Sequence, residues 1–138
     1  MALKIFTDGG SLNNPGKAAL AYIIYQDNKI LLSHSEIIGV ATNNVSEYAA
    51  LIGALEAVKN FLSKTQDLVS KIYVYSYSSL MVNQLNGLFK VKNAKIRELL
   101  FKVRGLEGEI NLPIIYIHIP REKNTLADSL VKKALFSA

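Results

Sequence analysis

Three widely separated acidic residues are the side chains most suited to chemistry in this 138-residue sequence. Asp8 follows an apolar run and precedes two glycines, Glu47 stands near the start of a helical pattern, and Asp128 lies in the last helical pattern. Grouped carboxylates repel one another, and a bound divalent cation is the usual compensation. If the fold brings the three together, they could hold metal ions that assist an in-line displacement at phosphorus.

Each acid also has an ordinary structural interpretation. Asp8 could cap a turn. Glu47 could complement a helix dipole, although its helical spacing directs it toward the apolar face, where an uncompensated charge is costly. Thr125 and Asp128 have the spacing of a capping box. These alternatives stay open for each acid taken singly, whereas the three together favour a shared site.

A polar run, Thr42-Asn43-Asn44, directly precedes the helix that carries Glu47. Short hydroxyl and amide side chains at a helix N-terminus bind phosphates well, because unpaired backbone N–H groups add to them. Thr and Asn are also preferred N-cap residues. The two interpretations are compatible, since one residue can cap the helix while its neighbours face a ligand.

Composition and charge narrow the class of site and partner. The sequence has no cysteine and only two histidines, which excludes thiolate sites and favours oxygen-ligated magnesium or manganese over zinc. Sixteen basic residues oppose eleven acidic ones, for a net charge of +5, which suits either a polyanionic partner or simple solubility. No apolar run is long enough to span a bilayer, so we expect a cytoplasmic protein without membrane contact.

Hydrophobic periodicity predicts the elements that would position these residues. Strands are predicted at 3–7, 18–25, 30–40, 72–75 and 112–119, and helices at 45–62, 78–85, 94–103 and 124–136. Gly105 is expected to end the third helix. A meander followed by alternating strands and helices predicts an α/β fold, in which three antiparallel strands and two parallel additions form a mixed five-stranded sheet flanked by helices. We expect one domain over 1–138, acting as a monomer.

Four ordered motifs resemble the signatures of type 1 ribonuclease H, in its short form without a basic protrusion between the middle helices. They are TDGGS at 7–11 with NPG at 14–16, TNNVSEYAA at 42–50, VYSYS at 74–78 with VNQLNG at 82–87, and PREKN at 120–124 with AD at 127–128. The resemblance covers nearly the whole chain, in the family's order. It implies an RNase H-like fold and endonucleolytic cleavage of the RNA strand of RNA/DNA hybrids, leaving a 3′-hydroxyl and a 5′-phosphate.

The resemblance also implies roles for single residues. Two Mg²⁺ or Mn²⁺ ions would be held, with Asp8 bridging them, Asp128 holding the ion that activates water, and Glu47 holding the ion at the leaving group. The remaining residues that it places at the hybrid are Gly9, Asn14, Thr42, Asn43, Asn44 and Ser79, the last where many members have a base-contacting Gln. Short polar groups in a shallow groove are suited to sensing the 2′-hydroxyls that distinguish RNA from DNA.

One position departs from the family's pattern in a way that bears on activity. The third motif ordinarily carries Asp between two serines, and this sequence has Tyr77 there. A phenol is neutral near pH 7 and a poor ligand for a hard dication, so we expect the second ion to bind weakly and cleavage to be reduced. Three explanations stay open: a tolerated variation, a module that binds hybrids with impaired or absent cleavage, and a substitution engineered into an active enzyme.

Further candidate contacts lie near the third helix and before the fourth. A basic cluster with Phe89 beside it favours phosphate tracking on an aromatic platform, and Phe89 and Lys92 are the predicted contacts. The solvated face of an amphipathic helix explains the later members of this cluster equally well. The cluster consists of Lys90, Lys92, Lys95, Arg97, Lys102 and Arg104. The loop before Asp128 lacks the histidine of longer family members, and Arg121 is the candidate for a phosphate-facing role there.

Overall fold

The computed structural model describes residues 1–137, which contain five strands and four helices. The strands are β1 (Ala2–Ser11), β2 (Gly16–Gln26), β3 (Lys29–Ala41), β4 (Lys71–Ser76) and β5 (Ile114–His118). The helices are α1 (Asn43–Leu62), α2 (Ser79–Leu85), α3 (Ala94–Ile110) and α4 (Thr125–Phe136), and a 3₁₀ turn at Arg121–Lys123 precedes α4. Within these residues, no helix combines the length and the apolar character that a membrane span requires.

The strands form one mixed sheet in the spatial order β3-β2-β1-β4-β5. The first three strands are antiparallel neighbours, and β4 and β5 add in parallel on the other side of β1. The predicted α/β fold with a mixed five-stranded sheet is confirmed. Its central strand is β1, so the residues of β1 are surrounded by the sheet on both sides, and Asp8 is positioned by the most constrained strand.

The main core lies between the sheet and α1. Side chains alternate along a strand, and the α1-facing positions of β1 and β4 are fully buried, as in Leu3, Ile5 and Val74. From α1, Leu51 and Leu55 fill the same layer without exposure to solvent. Each such side chain contributes about 1.5–3 kcal/mol when it is transferred from water to the interior. This packing fixes α1 against β1 and thereby fixes where the first turns of α1 lie.

Two predicted element ends are wrong, and tertiary context explains both. The first strand does not end at residue 7, because β1 continues through both glycines to Ser11 while β2 supplies ladder partners as far as Ala18. The third helix does not end at Gly105, because α3 continues to Ile110, which is buried. Asn111 ends it instead, in the left-handed conformation with φ of 56°. Packing thus overrides the weak helix propensity of glycine.

Two glycines are expected to respond oppositely to substitution by alanine. An added Cβ at Gly105 would meet nothing within 4 Å, so Gly105→Ala should raise the free energy of unfolding by about 0.5–1 kcal/mol. An added Cβ at Gly9 would lie 2.3 Å from the carbonyl carbon of Ser46, so Gly9→Ala should lower it by about 1–3 kcal/mol or more. Urea denaturation measures both changes, and a neutral Gly9→Ala would contradict the close contact between β1 and α1.

Candidate active site

The start of α1 is built by its own polar residues. The Thr42 hydroxyl caps the helix by accepting a hydrogen bond from the Val45 N–H at 3.2 Å. The Ser46 hydroxyl is buried and donates to main-chain carbonyls at the same end, 2.8 Å from that of Asn43. The capping interpretation therefore holds for Thr42, while Asn43 and Asn44 line a cleft beside the helix. One residue closes the helix end and its neighbours are left for a ligand.

Glu47 lies in the second turn of α1 and is buried, with 7% of its surface exposed. Its carboxylate accepts a hydrogen bond from the backbone N–H of Gly9. Because no acidic residue lies in the first turn, the dipole interpretation does not account for Glu47. The inward direction that helical spacing predicts is the one observed, and the missing side chain of Gly9 lets the helix approach closely enough for this bond.

Asp8 and Glu47 form an acidic pair. Burial raises the pKa of Asp8 to about 6, while a hydrogen bond with Glu47 lowers it, the charge of Asp128 raises it, and Arg121 lowers it. Burial also raises the pKa of Glu47 well above its ordinary range, and repulsion from Asp8 adds to that rise. The two groups therefore favour a shared proton or a bound cation over double ionisation.

Asp128 lies in the first turn of α4, and its Oδ2 is 3.0 Å from the Lys132 ammonium nitrogen. The capping-box interpretation does not hold, because Asn124, not Thr125, occupies the N-cap position. The Asn124 side chain makes no capping bond and instead donates from Nδ2 to the main-chain carbonyl of Thr7 at 2.9 Å. A buried amide thus ties the start of α4 to β1, next to Asp8.

Asn124 is a site-building residue that the sequence reasoning did not single out. It is 3% exposed and sits at the junction of the 3₁₀ turn and α4. Its place in the fourth motif, three residues after Arg121 and four before Asp128, was the available signal. Burial of its amide against the backbone of β1 could not be read from that spacing.

The carboxylate oxygens of this cleft suit a hard divalent ion, but only two of the three carboxylates lie next to each other. Asp8 and Glu47 offer adjacent carboxylate oxygens, and burial raises the pKa of both groups, so a bound cation would be favoured there. Over residues 1–137, no three His, Cys, Asp or Glu side chains converge closely enough to form a metal-binding group. Asp128 is turned toward Lys132, so it could become a third ligand only by leaving that ion pair.

Tyr77 lies where the resemblance would place another carboxylate, and it is 45% exposed. Its ring stacks on the His118 ring at a centroid distance of 6.3 Å, and the Arg121 guanidinium carbon lies 5.3 Å from the Tyr77 ring centroid. The main-chain carbonyl of Tyr77 lies 3.0 Å from Nε2 of His118. The position therefore contributes an aromatic surface with a cation above it and no negative charge.

One cleft of about 410 Å³ gathers most of the predicted site residues. Its lining includes Asp8, Gly9, Asn43, Asn44, Glu47, Tyr77, Arg121 and Asp128. A second cleft of about 330 Å³, under the 3₁₀ turn and against Phe6 and Tyr25, has a single acid, Asp27. The three carboxylates predicted to be catalytic therefore all lie in the first cleft. A further cleft, between α1 and α3, also carries three glutamates, Glu56, Glu98 and Glu109, none of which was predicted to act in catalysis.

Other predicted contact residues lie outside that lining. The side-chain carbonyl of Asn14 accepts from the Asn43 N–H at 2.8 Å, so Asn14 joins the turn before β2 to α1. Ser79 is the first residue of α2, and Ser78, which was predicted to begin this helix, is its N-cap. Phe89 and Lys92 are exposed in the segment between α2 and α3. Their roles as contacts stay predictions.

The basic cluster near α3 falls into two groups. Arg97 donates to the main-chain carbonyls of Val91 and Lys92, at 3.0 and 3.1 Å, and so braces the segment before α3. Arg104 donates to the Leu85 carbonyl at 2.6 Å and pairs with Glu107. These two arginines are committed to the fold, whereas Lys92 offers its charge to solvent.

Comparison with known proteins gives a consistent result over nearly the whole chain. A family model described as RNase H matches residues 1–136. The chain is 36% identical over 141 residues to the bifunctional protein Rv2228c of Mycobacterium tuberculosis, covering all of this chain and 36% of that protein. It is 35% identical over 135 residues to the ribonuclease HI of Halobacterium salinarum, covering 96% of this chain and 64% of that protein. The chain thus spans only part of the length of these relatives.

Solved structures agree with the sequence comparison. The RNase H1 of Halobacterium salinarum superposes with a TM-score of 0.89 and 32% identity, covering all of both chains. LC11-RNase H1, crystallised in complex with an RNA/DNA hybrid, superposes with a TM-score of 0.88 and 40% identity, covering 96% of this chain and 95% of that one. The similarity therefore extends to the arrangement of every element described above.

Removing the charge of Asp8 is expected to stabilise the metal-free protein at neutral pH. The folded-state pKa of about 6 exceeds the ordinary value of 3.8, so the folded state binds more protons in that range and stability falls as pH rises through it. In EDTA, Asp8→Asn should add about 1–2 kcal/mol to the free energy of unfolding at pH 7.5 and little at pH 4. Denaturant titrations at several pH values measure the difference.

The matched control is Asp27→Asn, which removes the same charge at an exposed turn. If Asp8→Asn gave no gain at pH 7.5, or the same gain as Asp27→Asn, the buried acidic pair would not carry the electrostatic strain inferred for it.

Proposed function

The chain belongs to the type 1 RNase H family, and we propose that it hydrolyses the RNA strand of RNA/DNA hybrids with the help of Mg²⁺ or Mn²⁺. The observation that carries the proposal is that Asp8, Glu47 and Asp128 all line one cleft beside the polar start of α1. A relative of similar fold, LC11-RNase H1, has been crystallised with an RNA/DNA hybrid. Scattered acids with purely structural roles have no reason to meet at such a place.

In this mechanism the acidic pair provides the metal ligands and Asp128 completes them. Asp8 and Glu47 would hold the ion through adjacent oxygens, which requires that the pair lose its shared proton. When bound, the ion polarises the scissile phosphate and lowers the pKa of a coordinated water. Asp128 would orient an attacking water from α4, whose start is tied to β1 by the hydrogen bond from the Asn124 amide to the Thr7 carbonyl. The Gly9 N–H keeps Glu47 directed into the cleft.

The start of α1 is suited to reading the hybrid. The side-chain carbonyl of Asn43 is occupied by the Ser11 N–H at 2.8 Å, so its Nδ2 group is the one that could donate to a 2′-hydroxyl. Asn44 is exposed beside it, and Thr42 closes the helix end behind them. The N–H groups of Asn43 and Val45 already donate to Asn14 and Thr42, so the Asn44 N–H is the one that would add attraction for a phosphate of the DNA strand. The space that Gly9 leaves is filled by the backbone of α1, so Gly9 would support hybrid binding by placing α1 and not by direct approach of the substrate.

We propose that metal-dependent cleavage is slower here than in a site with a fourth carboxylate at position 77. Tyr77 supplies no oxygen anion, and only two carboxylates converge at the outset. The alternatives are a hybrid-binding module with impaired or no cleavage, and an active enzyme in which Tyr77 is an engineered substitution. We also propose that residues 1–138 act as one domain and as a monomer.

Cleavage of a hybrid with end-labelled RNA tests the function directly. The chain should cut internally in the RNA strand with Mg²⁺ or Mn²⁺, leaving 5′-phosphate and 3′-hydroxyl ends, and should leave RNA duplexes intact. Glu47→Gln and Asp128→Asn should each lower the rate by about 10²-fold or more, because each removes a charge at the reacting phosphate. Glu122→Gln changes an exposed acid of the 3₁₀ turn and is the matched control. Tight hybrid binding without any cleavage would favour the binding module instead.

Restoring a carboxylate at position 77 tests the proposed reduction in rate. Tyr77→Asp should raise the cleavage rate about tenfold or more in Mg²⁺, because an added hard oxygen ligand strengthens ion binding at the site. The measurement is kcat against metal concentration for the parent protein and the variant, with Tyr77→Asn as the control that matches the variant in size and lacks its charge. Equal rates for the parent protein and Tyr77→Asp would show that this carboxylate is dispensable here.

A further inference from the structure

The guanidinium of Arg121 lies above the Tyr77 ring, 5.3 Å from the ring centroid. Both residues line the cleft that contains Asp8, Glu47 and Asp128. We propose that Arg121 supplies the second positive charge that phosphodiester hydrolysis needs at this site, acting on the leaving oxygen, and that Tyr77 is the residue that positions it. This inference rests on the proposed hydrolysis of RNA. It assigns Tyr77 a working role where a carboxylate would otherwise be expected.

Few groups in the cleft could supply a positive charge to the leaving oxygen. An in-line displacement at phosphorus starts from a hydroxide-like attacking oxygen and develops negative charge on the leaving oxygen, and each of these charges is best met by its own cation. The acidic pair Asp8 and Glu47, with Asp128 nearby, provides ligands for one ion. Two cationic side chains line the cleft, Arg121 and Lys132. Lys132 is paired with Asp128 at 3.0 Å, whereas Arg121 has no carboxylate partner among residues 1–137 and lies over the Tyr77 ring.

Arg121 forms no ion pair with a carboxylate in the described part of the chain, although it lines the same cleft as Asp8 and Glu47. Among residues 1–137, no carboxylate lies within ion-pair distance of its guanidinium. Its charge nevertheless acts on Asp8, whose carboxylate it stabilises, so the two lie within electrostatic reach. An unpaired guanidinium so close to a metal-binding pair is suited to a phosphate oxygen, which it can contact through two N–H groups.

Contacts with His118 fix the Tyr77 ring, and the ring in turn positions the Arg121 guanidinium. Its ring stacks on His118 at 6.3 Å with an interplanar angle of 30°, and its main-chain carbonyl lies 3.0 Å from Nε2 of His118. A cation above such a ring is held by the negative face of the π system. Ser78 begins the capping of α2 directly after Tyr77, so the backbone on that side is also fixed. The short 3₁₀ turn then carries Arg121 back over the ring.

The chemical step balances without a further reagent. A water oxygen bonds to phosphorus and releases a proton to solvent, the bond from phosphorus to the 3′-oxygen breaks, and the leaving oxygen takes up a proton from solvent. Arg121 remains protonated throughout and donates hydrogen bonds to the leaving oxygen and to a non-bridging oxygen. It therefore lowers the barrier electrostatically and transfers no proton.

A mutant cycle between positions 77 and 121 tests the assignment in hybrid cleavage. Arg121→Met should lower kcat by about 10²-fold with a smaller change in KM, since the charge matters most as the bond breaks. Tyr77→Ala should lower kcat because it removes the ring that positions the guanidinium, and Tyr77→Phe, which keeps the ring, should recover most of that loss. Tyr77→Ala combined with Arg121→Met should be no slower than Arg121→Met alone, because Tyr77 acts through Arg121. Lys123→Met, in the same 3₁₀ turn, is the charge-matched control.

Mn²⁺ titration by calorimetry, without nucleic acid, provides a readout independent of cleavage. Removing a cation that acts on Asp8 should strengthen Mn²⁺ binding in Arg121→Met by about 3–10-fold, and Lys123→Met should leave it unchanged. Tyr77→Asp should bind a second equivalent of Mn²⁺. In the Tyr77→Asp protein, Arg121→Met should therefore lower kcat less than it does in the parent protein.

The outcomes separate the two proposals. If the parent protein cleaves hybrids and Arg121→Met is as fast, or if losses at Tyr77 and Arg121 simply multiply, the role of Arg121 is overturned while the hydrolytic function stands. If the parent protein binds Mn²⁺ but cleaves no hybrid, the hydrolytic function itself fails. Unchanged Mn²⁺ affinity in Arg121→Met would overturn the electrostatic placement of Arg121 in either case.

Discussion

The close contact between Gly9 of β1 and the second turn of α1 is the constraint on which the rest of the site depends. An added methyl group there would meet main-chain atoms of Ser46 and Glu47 at 2.3–2.5 Å, so the two elements touch backbone to backbone. This contact brings the acid of the helix against the acid of the strand and lets the Gly9 N–H donate to the Glu47 carboxylate. A residue with any side chain at position 9 would separate the two carboxylates.

The same contact makes the site electrostatically expensive. Glu47 is buried with the half-buried Asp8 beside it, and the fold compensates them with hydrogen bonds from Gly9 and Ser76 and with cations at a distance. Lys132 balances Asp128, and Arg121 acts on Asp8 from above Tyr77. The cleft thus keeps internal counter-ions beside its acids, and a divalent ion entering it competes with side chains already in place. Such strain is common where function requires grouped charges.

Much of this could be predicted from the sequence, and the remainder depends on packing. Alternation and helical periodicity predicted the order of elements and the mixed sheet, because buried faces impose those periods. Helical spacing also predicted that Glu47 points inward. The extension of β1 through two glycines was missed because the ladder with β2, not local preference, holds them. The burial of Asn124 and the stacking of Arg121 on Tyr77 were missed for a related reason. Each joins residues distant in sequence, and no local pattern records such a contact.

The hydrogen bond from Asn124 to Thr7 anchors a C-terminal segment that carries several residues of the site, so these residues gain or lose their positions together. Asp128, Lys132 and the turn that carries Arg121 all belong to the C-terminal segment, whose helix rests on small side chains such as Ala19 and Ala21. Segments with few large buried side chains open at a lower free energy than the core. When α4 detaches, the sheet and α1 can remain folded while three charged groups leave the cleft together. Heat would then abolish function before it melts the domain, and hydrogen exchange in α4 would run ahead of exchange in β1.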